Sequence, residues 1–117
     1  MRILMVDVNG DGSSTGTLMH ALARGARAAG HEALLCYGRG EAPNEPELYK
    51  FGLDGETRLH ALLTRVTGWT GCFSPLSTRR LIRKLDELQP DVVHLSELHA
   101  YFVNLRPFLR ALQKRDL

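Results

Sequence analysis

From Gly10 to Gly16 the chain reads Gly-Asp-Gly-Ser-Ser-Thr-Gly, a run of small and hydroxyl-bearing residues suited to wrapping an anion. Glycine lets the backbone approach a ligand closely, and the start of a following helix presents N–H groups and a favourable dipole. Ser13, Ser14 and Thr15 add hydroxyl donors. The spacing G-x-G-x-x-x-G is one residue longer than the dinucleotide fingerprint G-x-G-x-x-G. The expected second strand also ends in Cys36-Tyr37-Gly38, with no acid to meet a ribose, so an NAD-type domain ranks last. The plain alternative to a phosphate cradle is a tight strand-to-helix turn closed by a Ser or Thr cap.

His99 and Glu97 lie in the polar segment Ser96–Phe102, just after the apolar run Val92–Leu95. A histidine beside a carboxylate serves proton transfer or binds sugar hydroxyls; a solvated loop is the bland alternative. His94 alternates with Val93 and Leu95 and is expected to point into the packing of the sheet, with acceptor or anion binding as its functional alternative. Arg39, in Gly38-Arg39-Gly40, is placed to pair with a phosphate or carboxylate, or else is an exposed turn arginine. A metal site from His94, His99 and Cys72 would need a folding coincidence, so none is expected. His20, His31 and His60 carry no argument beyond placement on the surface or in the core.

The elements that must position these residues follow from periodicity. Ile3–Val8 reads as a strand, and a helix from about Thr17 carries Leu18, Leu22, Gly25, Ala26 and Ala29 as its buried stripe, with Gly30 just past its end. Ala33–Tyr37 reads as a buried strand, completing a β-α-β unit and predicting a parallel sheet with right-handed crossovers. Gly38–Pro46 reads as a loop and Tyr49–Phe51 as a short third strand. Glu56–Val66 predicts a second helix with Leu59, Leu62, Leu63 and Val66 inward. Ser74-Pro75 predicts an N-cap and first turn for a third helix with Leu81, Ile82, Leu85 and Leu88 inward. Val92–Leu95 predicts a strand, and Asn104 caps a last helix carrying Leu105, Phe108, Leu109 and Leu112. If the first strand neighbours Val92–Leu95, the glycine-rich loop and the Glu97–His99 loop line one crevice at the C-terminal ends of the strands.

At 117 residues the chain is expected to be a single domain, short for an enzyme that must enclose two substrates. Apolar residues at 44% and charged residues at 24% place it among ordinary globular chains. A net charge of +2 without aromatic-basic interleaving argues against nucleic acid as a partner. Two cysteines, Cys36 and Cys72, without a C-x-x-C pair suggest neither a disulfide framework nor structural zinc, and reduced thiols fit a cytoplasmic setting. The basic stripe Arg79, Arg80, Arg83 and Lys84, with Trp69 and Phe73 before it, offers peripheral contact with an anionic membrane as an alternative to a solvated face.

Taken in order, Arg2–Val6, Gly12–Gly16, Gly30-His31-Glu32, Tyr37-Gly38-Arg39 and Pro90–Leu95 resemble the N-terminal domain of GT-B family 4 glycosyltransferases of the capsular, exopolysaccharide or colanic-acid type. The resemblance spans nearly the whole chain and implies an α/β, Rossmann-like parallel sheet with flanking helices, the N-terminal half of a GT-B fold. It implies a retaining transferase that moves a sugar from a nucleotide-sugar to a glycan or lipid-linked acceptor in surface-polysaccharide synthesis. No cofactor is implied; the nucleotide-sugar is substrate. Gly12, Ser13, Ser14, Thr15 and Gly16 would meet the donor's phosphates and reacting sugar. His99 would face the acceptor or the sugar as the catalytic candidate, with Arg39, His94 and Glu97 as acceptor or anion contacts. Relatives of this type often carry His-x-His at the strand end, where Ser96 stands here.

The resemblance further implies that residues 1–117 are the acceptor-side domain alone, inactive without a separate donor-binding domain. A sheet ending at Val92–Leu95 leaves an edge expected to favour self-association. The competing expectation, from chain length, is a free-standing phosphate or nucleotide-binding module without catalysis.

Overall fold

The computed structural model describes residues 1–42, 45–99 and 101–117; Pro43, Asn44 and Ala100, which belong to two of the expected loops, lie outside the described residues. In chain order the elements are β1 (Arg2–Asn9), α1 (Ser14–Ala28), β2 (Glu32–Arg39), β3 (Leu48–Lys50), α2 (Asp54–Thr67), α3 (Pro75–Leu88), β4 (Val92–Leu95) and α4 (Leu105–Gln113). The four strands form one parallel sheet in the order β3-β2-β1-β4. This is the Rossmann-like α/β arrangement that the alternation of apolar strand and helix patterns predicts.

β1 is central because Leu4 through Val8 are buried on both of its faces, as the unbroken apolar run requires. On one face Leu4, Val6 and Val8 meet Cys36, Phe51, Leu81, Leu85, Phe102 and Phe108, beneath α3 and α4. On the other, Met5 and Leu35 meet Met19 and Ala23 of α1. β4 joins β1 in register, Met5 opposite His94 and Val6 opposite Leu95. Asp91 fixes that register, because its carboxylate accepts from Arg2 N at 2.7 Å while its own N–H donates to Arg2 O at 2.9 Å.

Helix phase differs from the expected stripes in three places. α1 buries Gly16, Met19 and Ala23, whereas Leu18 and Leu22 are exposed. The cap sets this phase: Gly16 N donates to Ser13 Oγ, and a Cβ on Gly16 would meet Asn9 O at 3.4 Å, so the helix enters with Gly16 against the loop. α4 turns Phe108, Ala111 and Leu112 inward and leaves Leu105 and Leu109 outside. α2 is reversed outright, burying Thr57 and His60 while Leu59, Leu62 and Val66 face outward. It is held instead by polar ties to the start of α3, where the Glu56 carboxylate accepts from Leu76 N and Ser77 N at 2.9 and 2.8 Å. α3 alone follows its expected stripe, with Leu81 and Leu85 buried. The third strand is Leu48–Lys50, one residue earlier than expected, and Phe51 drops into the core instead.

Candidate functional site

Because β1 lies between β2 and β4, the strand order reverses at its C-terminal end, the position where open parallel sheets form a binding crevice. The glycine-rich loop leaves β1 at that point. The segment bearing Glu97 and His99 leaves β4 beside it, with Ser96 N donating to Val6 O at 2.9 Å. Arg39 closes β2 on the other side, opposite Asn9, with its side chain exposed. The topology therefore gathers the loops carrying Gly12–Gly16, Arg39 and Glu97–His99 at the same end of the sheet.

The glycine-rich loop is locally self-supporting. Gly12 sits at φ 72°, and its N–H donates to the Asp11 carboxylate at 2.7 Å. Ser13 is the N-cap of α1: its Oγ accepts from Gly16 N at 2.9 Å, and its carbonyl accepts from Thr17 N at 2.9 Å. The remaining first-turn donors, Ser14 N and Thr15 N, have no intrahelical acceptor. The turn is thus a capped strand-to-helix junction that still presents open N–H groups at a helix N-terminus, with the Ser14 side chain exposed. Gly10 has a different purpose, since a Cβ there would meet the Tyr37 ring at 2.8 Å; it lets the loop lie on β2.

Beside this loop, Asp11, Thr17, His20 and Arg24 line a cavity of about 250 Å³ that Glu45 completes. His20 Nε2 is 2.7 Å from Gly10 O, so this histidine braces the loop from the helix side. Residue type alone had given His20 no role.

His99 Nδ1 stands 3.9 Å from Glu97 Oε2, and the histidine is largely exposed. His94 does not point into the packing. It lies exposed on β4, on the α1 side of the sheet, because α1 covers β1 and β2 and does not reach this edge strand. The partly buried Val93 and Leu95 take the core side instead. His94 pairs with Met5, four residues before the end of β1 at Asn9.

The loop after β4 is fastened by groups that periodicity does not reveal. Phe102 is fully buried 5.7 Å from Phe51 and lies directly on Gly38, whose missing Cβ leaves the room for its ring. Ser74 Oγ donates to Tyr101 O at 3.1 Å, Ser74 N donates to Asn104 Oδ1, and Asn104 N donates to Thr78 Oγ1. Ser74 and Asn104 precede their helices as expected, but their side chains make these tertiary ties and not caps. The single hydroxyl proton of Ser74 goes to Tyr101, so His60 Nδ1, 2.6 Å away, is the donor of that pair and Nε2 is left a bare acceptor. Among the described residues nothing bonds that Nε2. Burial holds the His60 pKa below its ordinary value, with Glu56 and the Tyr101 carbonyl opposing.

Asp7 is a further buried polar group that residue type does not single out. It sits in β1, 2% exposed, with Oδ1 accepting from Val8 N at 2.7 Å and Oδ2 unpartnered among the described residues. Its place two residues before Asn9 puts a carboxylate just beneath the glycine-rich loop.

Of the basic stripe on α3, only part faces solvent. Arg80 donates to Lys50 O at 3.0 Å and lies over the Tyr49 ring, which Lys84 also covers at 4.6 Å. Phe73 packs edge-on against His60. No helix among the described residues is long and apolar enough to cross a membrane.

A parallel α/β sheet with glycine-rich and polar loops at its switch point defines a Rossmann-like domain. Residues 15–116 match the model of Glycosyltransferase Family 4, and the chain belongs to that family. The match takes in Thr15 and Gly16 and the loop after β4, and begins after Gly12–Ser14. Neither a curated protein nor a solved structure matches the chain.

Proposed function

We propose that this chain is the N-terminal, acceptor-side domain of a retaining GT-B glycosyltransferase. It acts on a nucleotide-sugar and a glycan or lipid-linked acceptor in surface-polysaccharide assembly, together with a donor-binding domain outside residues 1–117. The observation that carries this reading is the family match joined to the convergence of the β1, β2 and β4 loops at the switch point. In that role the open N–H groups of Ser14 and Thr15 approach the donor's diphosphate and stabilise the charge that builds on it as the sugar departs. Arg39 supplies a cation at the same rim. His99, paired with Glu97, faces the acceptor hydroxyl or the transferred sugar.

An edge strand as open as β4 also favours pairing with a further strand or a second copy. Sedimentation as a stable monomer at high concentration would contradict that pairing.

Calorimetric titration of residues 1–117 and of the full-length protein with nucleoside diphosphates and nucleotide-sugars tests the reading. Tight binding by the full-length protein and weak binding by the isolated chain are expected, because most donor contacts belong to the other domain. Equally tight binding by residues 1–117 alone would support the free-standing nucleotide-binding module instead.

A further inference from the structure

Asp7 is an unfavourable residue for its position. Its side chain is buried and only Oδ1 is used, accepting from Val8 N at 2.7 Å, while Oδ2 has no partner among the described residues. A buried carboxylate oxygen without a donor destabilises the fold, a cost that an apolar side chain filling the same space would avoid. Strand alternation fixes where the charge points. Met5 lies on the α1 face against Met19 and Ala23, so Asp7, two residues on, shares that face about 6.6 Å nearer the glycine-rich loop. Tyr37, its partner in register, agrees, because that ring stands where a Cβ on Gly10 would be. α1 runs back antiparallel to β1 to reach the parallel strand β2, so the step from Met5 to Asp7 matches the step from Met19 to Gly16 and the first helical turn.

The N-terminus of α1 therefore faces a carboxylate from within the fold. Its first turn carries no acidic residue of its own. Asp11, the acid of the loop, is exposed and already accepts from Gly12 N. Asp7 lies in the field of the helix from the sheet side, whereas the donor's diphosphate is assigned to Ser14 N and Thr15 N on the solvent side. Two anions sharing one helix terminus oppose each other, and a buried charge is screened only weakly by salt. No contact is required for this, since the burial that hides Oδ2 from a ligand also strengthens its field.

We propose that Asp7 is a buried counter-charge that weakens the hold of the α1 N-terminus on a nucleoside diphosphate and so speeds release of that product. The inference rests on the assignment of the diphosphate to Ser14 and Thr15. Asp7 touches no substrate in this role and acts through space. A cradle of open N–H groups binds the anion before and after transfer, and a fixed opposing charge keeps the product from lingering where release limits turnover.

The test is calorimetric titration of the full-length protein with uridine, guanosine, adenosine and thymidine diphosphates, and with the matching uncharged nucleosides. Asp7→Asn keeps an oxygen for Val8 N and removes the charge; Asp7→Val removes the polar group and suits a buried strand. Both variants should bind the diphosphate about tenfold tighter or more, with product inhibition strengthened in parallel. Affinity for the uncharged nucleoside should stay within about twofold, as only a charge effect predicts. The gain should persist in about 0.5 M salt, whereas Asp11→Asn, at an exposed acid, should give a smaller gain that salt erases. Thermal melts should place at least one Asp7 variant at or above the parent's midpoint; failure of both to fold would show that the fold needs the carboxylate and would overturn the proposal. It is equally overturned if folded variants bind the diphosphate no tighter, or if the uncharged nucleoside gains as much. Weaker binding would also overturn it, making Oδ2 an acceptor for a sugar hydroxyl or a cation. Binding by the parent without a gain in the variants refutes the role of Asp7 alone, whereas no binding by any form refutes the diphosphate cradle with it.

Discussion

Replacing Ser14 by proline removes one backbone donor from the proposed diphosphate cradle with little else disturbed. Ser14 is the first residue of α1, where proline's fixed φ suits the helix and its missing N–H breaks no intrahelical bond. The residue before a proline must be extended, and Ser13 already is, at φ −122° and ψ 163°. The fold should therefore be unharmed or gain about 0.4–1 kcal/mol from a stiffer unfolded chain. A hydrogen bond to a charged group is worth about 1.5–3 kcal/mol, so losing this one should slow sugar transfer by roughly 10- to 150-fold. The assay is release of nucleoside diphosphate by the full-length protein, with Ser14→Ala as the control that keeps the N–H and removes only the hydroxyl. Thermal melts should show Ser14→Pro at or above the parent's midpoint. Turnover within twofold of Ser14→Ala, in a folded variant, would refute the claim that this N–H meets the donor.

Gly38→Ala drives a Cβ into the Phe102 ring and should cost about 1–3 kcal/mol, lowering the melting midpoint. Gly25→Ala, where no heavy atom lies within 4 Å of the added Cβ, should instead stabilise α1 by up to about 1 kcal/mol, so equal effects would discount the packing argument. Because burial lowers the His60 pKa in the fold, the unfolded chain binds the proton more readily. Stability contributed by neutral His60 should be fully present above its unfolded pKa of about 6.5 and be lost as pH falls through the folded value. Urea midpoints measured from pH 7.5 downward should show that decline in the parent and a shallower one in His60→Gln. Burial pushes the Cys36 thiol up to about 12, whereas Cys72 is exposed. A thiol reagent at pH 8 should modify Cys72 quickly and Cys36 only on unfolding, and two fast thiols would contradict the packing beneath α3.

Strand order was inferable because β1 and β2 are continuous apolar runs joined by a helix, and Pro90-Asp91 marks the start of β4. The convergence of the loops follows from that order alone. Helix phase was less legible, for reasons that differ between helices. In α1 the N-cap and the close approach of Gly16 override the leucines, so the small residues Gly16 and Ala23 face the sheet. In α2 the leucine row is a true amphipathic pattern, but hydropathy does not say whether protein or another phase covers it. Its buried face is anchored by His60 and Glu56, whose partners Ser74, Leu76 and Ser77 lie 14 to 21 residues away in sequence. Asp7 and His20 escaped notice for a related reason, since each depends on a neighbour that only the folded chain supplies. His94 was misplaced because strand alternation gives two faces and not which one α1 leaves uncovered.

The most direct test of the account is to incubate the full-length protein with a panel of nucleotide-sugars and measure nucleoside diphosphate release and sugar transfer. Turnover of at least one donor, lost when the loop residues Gly12–Gly16 are replaced in a folded protein, is the predicted result. A folded full-length protein that neither hydrolyses nor transfers from any donor in the panel would contradict it.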